Sequence, residues 1–413
     1  MFDPMFVPPR HNPALFRFAQ AFVPRLGRFF GNVRDVRVPP EDLARLEALR
    51  GHRAILSPNH PTETDPIVVF WLSAMLRQSF NFLATRETLE GPRGRLLNQI
   101  GVYSVIRGSA DRESVRMTRR LLAEQDRKVV IFPEGLVYEH NDTLLQFQAG
   151  VAQMGFWALD DLRKAGRDVA LPIVPIAIKY RCCASPEPAM EKGLRTLERT
   201  LGIRPSQGDG RYARLRAIGS HVLATLEEAE GLTPDPSSPL SQRIPVVRRK
   251  VLERVAEAIG AELDDREPPG EQLHHLYNEL KSWVGVLPEQ RSDYEERLHR
   301  HRTGVAAPLF VELLRLHNFV AVSGDYVAAE PTAERFMEVL GRLQMEVLGR
   351  IPHQAPLAAT VRIAPPIRLE ERYEEYRQNK REVVAAVTRQ MRDTIHGLLG
   401  ELAGEATPID LRS

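Results

Sequence analysis

Short apolar runs alternate with helical patterns between about Arg53 and Tyr180. The runs lack polar alternation, which is typical of strands buried on both faces of a sheet. The predicted strands are 53–57, 80–84, 102–106, 128–132 and 169–180, and the predicted helices are 66–77, 92–100, 110–125 and 145–165. Strands separated by helices in this way predict an α/β fold with a central, largely parallel or mixed sheet flanked by helices.

The pattern becomes mainly helical after Arg181. Seven stretches between residues 186 and 350 favour helix, and linkers rich in proline or glycine separate them. A strand-like run at 357–369 and a charged amphipathic helix at about 370–401 follow. The simplest topology is one α/β domain with a large helical insertion before its last strand. The predicted divisions are an N-terminal segment (1–40), an α/β core (41–183), a helical insertion (184–356) and a closing strand with a C-terminal helix (357–413).

Residues 1–40 form an amphipathic, basic segment. Six arginines stand there against two aspartates, a net charge of +4, whereas the whole chain carries +2. Eight apolar residues recur at spacings of three and four and would share one helical face, with Pro24 opposite them. They are Leu15, Phe18, Ala19, Phe22, Leu26, Phe29, Phe30 and Val33. Two interpretations stay open: an anchor at an anionic membrane interface, or a helix docked on the core.

Composition excludes several classes of protein. With 413 residues, 43% of them hydrophobic and 27% charged, the chain is expected to be globular with about two domains. A net charge of +2 is too small to argue for nucleic-acid binding. Adjacent Cys182 and Cys183 offer neither a disulfide framework nor metal-ligand spacing, which predicts a reducing, cytoplasmic compartment. The longest apolar run, 67–76, is about half the length that spans a bilayer.

The stretch LSPNHPTETDP, residues 56–66, contains the first candidate site residues, His60 and Asp65. On one strand or one helix, residues five apart point in different directions, so these two can meet only if the chain turns between them. The intervening proline and threonines suit such a turn. Because Asp65 precedes a proline, it is also predicted to cap the following helix. The pair is therefore either a base with its orienting carboxylate or a turn leading into a capped helix.

Two further candidate elements follow predicted strands. Arg107 ends a strand beside a glycine, which suits phosphate binding, although for a single instance a surface arginine in a loop is the better explanation. Pro133, Glu134 and Gly135 form a turn after an apolar strand, where the glycine would let a ligand or another backbone approach closely.

The last predicted strand of the core, 169–180, contains an internal proline, Pro175. Proline cannot donate a ladder hydrogen bond, so the sequence predicts an edge or bulged position here. Lys179 or Arg181 would lend positive charge to a site at the end of this strand.

In this order the four pieces resemble the glycerolipid acyltransferase family, which includes glycerol-3-phosphate and lysophosphatidate acyltransferases. NHPTETD is similar to the family's first block, VYSVIRG to its second, FPEG to its third and VPIAI to its fourth. The resemblance covers about residues 50–183, and VRIAPPIRL with the helix after it is similar to the closing strand and tail. The third block usually continues into Thr-Arg-Ser, whereas this chain continues into LVYEH, which leaves the acceptor open.

The resemblance implies transfer of a fatty acyl group from acyl-CoA or acyl carrier protein to a hydroxyl of glycerol 3-phosphate or lysophosphatidate, in phospholipid biosynthesis. His60 would be the general base, Asp65 would orient it, and backbone N–H groups at the start of the 66–77 helix would stabilise the oxyanion. The implied acceptor-binding residues are Arg107, Pro133, Glu134 and Gly135. Apart from the thioester co-substrate, no cofactor and no metal is implied, and the expected location is cytoplasmic, peripheral on the inner face of the membrane.

Three alternatives remain at this point. One is an O-acyltransferase whose lyso-lipid acceptor lacks glycerol phosphate, and another is a non-catalytic lipid-binding relative. A metal enzyme is the third, but its candidate ligands lie in charged helices and are better explained as solvated side chains. Those ligands would be His274, His275, His299 and His301.

Overall fold

The computed structural model describes residues 6–105, 111–135, 137, 140–206, 208–264, 266–267, 269–285, 292–320 and 326–411. The chain divides into two compact units. The first unit comprises Met1–Arg181 and Leu357–Glu405, and the second comprises Cys182–Pro356 and Ala406–Ser413.

Within the described residues, eight strands form one mixed sheet. They are β1 (Val33–Arg37), β2 (Ala54–Pro58), β3 (Phe80–Thr85), β4 (Val102–Val105), β5 (Lys128–Val130), β6 (Pro172–Cys182), β7 (Leu357–Ile363) and β8 (Ile367–Arg368). Their order is β1-β7-β6-β2-β5-β3-β4, with β8 pairing antiparallel to the start of β6. The pairs β1/β7, β2/β6, β2/β5, β3/β5 and β3/β4 are parallel.

Helices flank this sheet in the first unit and make up most of the described second unit. They are α1 (Pro13–Gly31), α2 (Pro40–Glu47), α3 (Asp65–Leu76), α4 (Gly91–Gln99), α5 (Arg112–Ala123), α6 (Gly150–Lys164), α7 (Glu187–Leu201), α8 (Arg211–Ala229), α9 (Leu240–Ile259), α10 (Pro269–Val284), α11 (Asp293–Val320), α12 (Tyr326–Ala329), α13 (Ala333–Leu348), α14 (Tyr373–Gln378) and α15 (Lys380–Glu401). The predicted α/β class, with a mixed sheet flanked by helices and a helical region before the last strands, is confirmed.

The core of the first unit is built on both faces of the sheet. Neighbouring residues of one strand belong to different apolar clusters: Ile55 packs in the cluster that contains α5, α6 and α15 residues, and Leu56 packs in the cluster that contains α1 and α3 residues. Burial of both faces explains why these strands are continuous apolar runs. The strands are thereby packed on both sides, which holds their carboxyl ends in place.

The predicted position of Pro175 at a sheet edge is wrong. Strand β6 lies inside the sheet, where Pro175 is opposite Ser57 of β2. The carbonyl of Pro175 accepts the Ala364 N–H at 3.0 Å, so the side of Pro175 that lacks a donor faces the end of β7 and not β2.

The N-terminal segment is more closely tied to the sheet than its sequence predicts. Residues Val33–Arg37 form β1, which pairs in parallel with β7, and Val33 belongs to this strand rather than to the helical face. Helix α1 continues through Pro24 as one element. Strand β1 was not predicted because three of its five residues are charged, so it lacks an apolar run.

Candidate active site

The candidate active site lies at the carboxyl ends of β2, β5 and β6. Because β2 is parallel to both of its neighbours, these three ends meet at one edge of the sheet. His60 follows β2, Glu134 follows β5 and Tyr180 lies near the end of β6. In open α/β sheets this edge is the usual place for ligand binding.

His60 and Asp65 meet across a turn. The Nδ1 atom of His60 lies 2.8 Å from Oδ2 of Asp65, and Asp65 is fully buried. The same Oδ2 accepts the Thr62 N–H at 2.8 Å, so the turn closes on the carboxylate. A carboxylate on Nδ1 favours the tautomer in which Nδ1 carries the proton and Nε2 is free to accept one.

The prediction that Asp65 caps the following helix is wrong. Asp65 is the first residue of α3, the N-cap is Thr64, and no side chain makes a capping hydrogen bond. A capping carboxylate would accept N–H groups of the first helical turn, whereas this one accepts groups that precede the helix. Capping therefore does not account for an aspartate at this position.

Tyr180 holds the other oxygen of Asp65. Its hydroxyl donates to Oδ1 at 2.5 Å, and its side chain is buried. Burial raises the pKa of Tyr180 well above its usual range, and the Asp65 carboxylate raises it further, so the phenol stays a donor. With both oxygens engaged, the carboxylate has a fixed orientation toward His60.

The imidazole of His60 is held on its face and on one edge. Its ring stacks on Phe132 with centroids 4.1 Å apart, and the residue is 9% exposed. No described residue hydrogen-bonds Nε2, while Nδ1 is engaged by Asp65. The ring nitrogen opposite the carboxylate is thus left for a substrate proton.

Glu134 accepts hydrogen bonds from two backbone N–H groups near the site. Its Oε1 accepts the His60 N–H at 2.7 Å, and its Oε2 accepts the Leu145 N–H at 2.8 Å. Burial raises the pKa of Glu134 to about 7, and the two N–H donors, which favour the ionised form, offset this only in part. The carboxylate therefore ties the loop after β2 to the loop before α6.

Glu134→Gln is expected to change how stability depends on pH. A carboxyl group whose pKa is raised on folding stabilises the folded state below its unfolded value of 4.5, and this stabilisation is lost as the pH rises through about 7. Relative to Glu134→Gln, the wild type should therefore lose about 3 kcal/mol of stability over this window. Thermal unfolding of both proteins between pH 4.5 and 8 measures the difference between their free energies of unfolding. Glu374→Gln, at an exposed carboxylate, is the control. A difference between wild type and Glu134→Gln that does not depend on pH would contradict the raised pKa of Glu134.

Two asparagines continue the pairing of β6 beyond the end of β2. The Asn59 amide donates to the Ile178 carbonyl at 3.0 Å and accepts the Ile178 N–H at 2.7 Å. The Asn141 amide makes the same pair of bonds with Tyr180, at 2.5 and 2.6 Å. A side-chain amide places an N–H donor beside a carbonyl acceptor, so it replaces a strand residue here. These bonds fix Tyr180, and through it Asp65.

The turn after β5 is shaped by a neighbouring side chain. Gly135 has φ of +70°, and a Cβ at this position would collide with the Gln148 amide. The Pro133 carbonyl accepts the Gln148 N–H at 2.8 Å. The space beside Gly135, expected from the sequence to admit a ligand or another backbone, is occupied by Gln148.

The backbone N–H groups that were expected to stabilise the oxyanion already make hydrogen bonds within the protein. At the start of α3 the N–H groups of Asp65, Ile67 and Val68 donate to carbonyls of Thr62 and Thr64, and residue 66 is a proline. The sequence could not show this, because it depends on how tightly the turn before the helix is wound. Oxyanion stabilisation by these groups would require the turn to open.

The positively charged candidates have different environments. Arg107 lies outside the described residues. Lys179 pairs with Asp142 at 2.5 Å, so its charge is balanced. The Nε and Nη2 atoms of Arg181 are buried and have no hydrogen-bond partner in the described part of the chain. Of the two candidates on β6, Arg181 retains free donors.

A family model described as Acyltransferase matches residues 37–179. The matched segment runs from the last residue of β1 into β6 and contains His60, Asp65 and Glu134. No curated protein matches the chain. The match supports the acyltransferase family for this part of the chain, and with it a general acyltransferase function.

Proposed function

We propose that the protein is an O-acyltransferase. It moves a fatty acyl group from a thioester, acyl-CoA or acyl carrier protein, to a hydroxyl of glycerol 3-phosphate or lysophosphatidate, as a step of phospholipid biosynthesis. The observation that carries the proposal is the 2.8 Å contact between Nδ1 of His60 and the fully buried Asp65. The match over residues 37–179 supports acyl transfer in general.

The proposed chemistry uses one base and no protein nucleophile. As the acceptor hydroxyl attacks the thioester carbonyl carbon, Nε2 of His60 takes its proton, and Asp65 stabilises the imidazolium that forms. The tetrahedral intermediate then collapses, the C–S bond breaks, and the imidazolium returns the proton to the leaving thiolate. The products are an ester and a free thiol, and His60 is neutral again.

The acceptor would be oriented by positive charge. Arg107 is the residue that the sequence assigns to the acceptor phosphate, and Arg181 has buried donors without acceptors in the described chain. Glu134, Pro133 and Gly135 shape the site through the turn after β5 and through the backbone of His60. A neutral lyso-lipid would not need the Arg107 charge.

A thiol-release assay with purified protein tests this function. Both donors are crossed with glycerol 3-phosphate, lysophosphatidate and a neutral lyso-lipid. The proposal expects release with a phosphate acceptor, and Arg107→Gln should raise KM for that acceptor with little change in kcat. Thiol release only with the neutral lyso-lipid would show that the acceptor lacks a glycerol phosphate. No release with any acceptor would overturn the proposal that the protein is an acyltransferase.

Helix α1 supports a second part of the proposal, contact with a membrane. One face of the helix is buried through Phe16, Val23 and Gly27, and it packs against α3. A different stripe carries three exposed aromatics, Phe18, Phe22 and Phe29, which are exposed by 60%, 38% and 82%. Phe30, in the last turn of the helix, is exposed by 50%. Both sequence interpretations of this helix thus have a structural counterpart, on separate faces.

The charge of α1 fits an anionic surface. The helix contains three arginines and no aspartate or glutamate. Exposed aromatics with arginines are the composition of helices that lie in a membrane interface. No helix in the described residues is long and apolar enough to cross a membrane. We therefore propose peripheral docking of α1 on an anionic bilayer at the inner face of the membrane.

Replacing Phe18 and Phe29 together by serine is expected to weaken vesicle binding at least about a hundredfold, because each buried aromatic contributes about 1.5–3 kcal/mol and about 1.4 kcal/mol is a factor of ten. Co-sedimentation with phosphatidylglycerol vesicles measures the effect. Tyr294→Ser removes an aromatic of similar exposure from the second unit and should leave binding unchanged. Equal binding of the double variant and the wild type would contradict docking through α1.

A further inference from the structure

Helices α8, α9 and α11 of the second unit enclose a cavity of about 400 Å³. Its walls are mainly aliphatic, with Leu223, Ile244, Val247 and Val251 among the buried side chains. A volume of this size is in the range of pockets that hold small ligands. Every lining residue belongs to the second unit, so none of them is a residue of the candidate active site.

Most charges at the rim of the cavity are balanced. Arg254 donates to Glu230 at 2.8 and 3.1 Å and pairs with Glu312 at 2.8 Å, which links the three helices. Arg315 donates from Nε to Glu346 at 2.7 Å. These pairs hold the helices at the mouth of the cavity in a fixed arrangement.

Arg248 is the exception. It lines the cavity and is half-buried, but it has neither a hydrogen-bond acceptor nor a counterion among the described residues. Burial lowers the pKa of its guanidinium, and no acidic side chain in the described chain counteracts this. A desolvated guanidinium without a partner is unfavourable, and a bound anion would relieve it.

We propose that this cavity binds a small amphiphile with one anionic head group, held by Arg248, and a short apolar tail packed on the aliphatic walls. The guanidinium fork matches a carboxylate or a phosphate through two parallel hydrogen bonds. The aliphatic side chains account for the tail, because they offer contact area and no competing polar groups. The inference does not depend on the proposed acyl transfer, since it uses other residues and involves no chemical step.

Calorimetric titration of the full chain tests the site with three probes: decanoate, decyl phosphate and decanol. Binding of at least one anionic probe is expected, and the tighter one identifies the head group. Arg248→Gln should weaken that binding by about tenfold or more, the loss expected for one charge-assisted pair. The affinity for decanol, which has no charge, should change little.

Two further variants make the result specific. Arg249→Gln is the matched control on the same helix, since Arg249 pairs with Glu253 and does not line the cavity. It should bind the anionic probe as the wild type does. Leu226→Trp would fill the cavity and should abolish binding of the apolar tail. No binding of either anion to the wild type, or equal losses in Arg248→Gln and Arg249→Gln, would overturn the proposal.

Discussion

Replacing His60 by alanine is expected to lower kcat for acyl transfer by about 10²–10⁴-fold, the usual contribution of a positioned general base. The fold should persist, because the hydrogen bond to Glu134 comes from the backbone N–H of His60 and survives the substitution. Asp65 keeps Thr62 and Tyr180 as donors. The measurement is steady-state thiol release, with circular dichroism as the check on folding.

His60→Gln is the informative companion to this variant. A glutamine amide can donate a hydrogen bond toward Asp65, but it cannot take up a proton at neutral pH. It should therefore be as inactive as the alanine variant while the buried carboxylate stays partnered. Turnover above a tenth of the wild-type rate in either variant would rule out His60 as the base.

Asp65→Asn is expected to cost about 10²–10⁴-fold in kcat with little change in KM. Its amide oxygen can keep the bonds to Nδ1 of His60 and the Thr62 N–H, but an uncharged amide cannot stabilise the imidazolium that forms when Nε2 takes the acceptor proton. The effect should lie in kcat because Asp65 is fully buried, with both oxygens taken by protein groups. Initial rates over a range of acceptor concentrations separate the two parameters.

Tyr180→Phe is the matched control for the carboxylate. It removes one donor to Asp65, at 2.5 Å, but leaves the contact with His60 and the Thr62 N–H. A loss of about tenfold or less is expected, because Asp65 loses one orienting hydrogen bond but keeps its negative charge. If Tyr180→Phe were as damaging as Asp65→Asn, stabilising the imidazolium by its charge would not be the role of the aspartate.

The contact between His60 and Asp65 could be predicted from local sequence. The four residues between them include a proline and two threonines, which suit a turn, and a turn brings the two side chains together. The α/β class followed from continuous apolar runs, since strands buried on both faces have no polar alternation. Both predictions depend on residues close in the chain or on repeated patterns. The catalytic role of the pair stays a proposal.

The hydrogen bonds that hold His60 and Asp65 in place could not be predicted from the sequence. Tyr180 is 115 residues from Asp65, and Asn141 is 39 residues from Tyr180, so their bonds depend on strand order. Their only sequence signal is the type of residue at a strand end: a tyrosine closing an apolar strand, and asparagines beside turns. Glu134 was expected to contact a ligand, but its oxygens are taken by backbone N–H groups, which only the folded loops bring together.

The most direct test of the central claim is to measure thiol release and ester formation in one reaction, with wild type and His60→Ala in parallel. A base that activates the acceptor hydroxyl predicts one thiol released for each ester formed, negligible release without acceptor, and loss of both products in His60→Ala. Thiol release by the wild type that is independent of acceptor, or ester formation that survives in His60→Ala, would contradict the account.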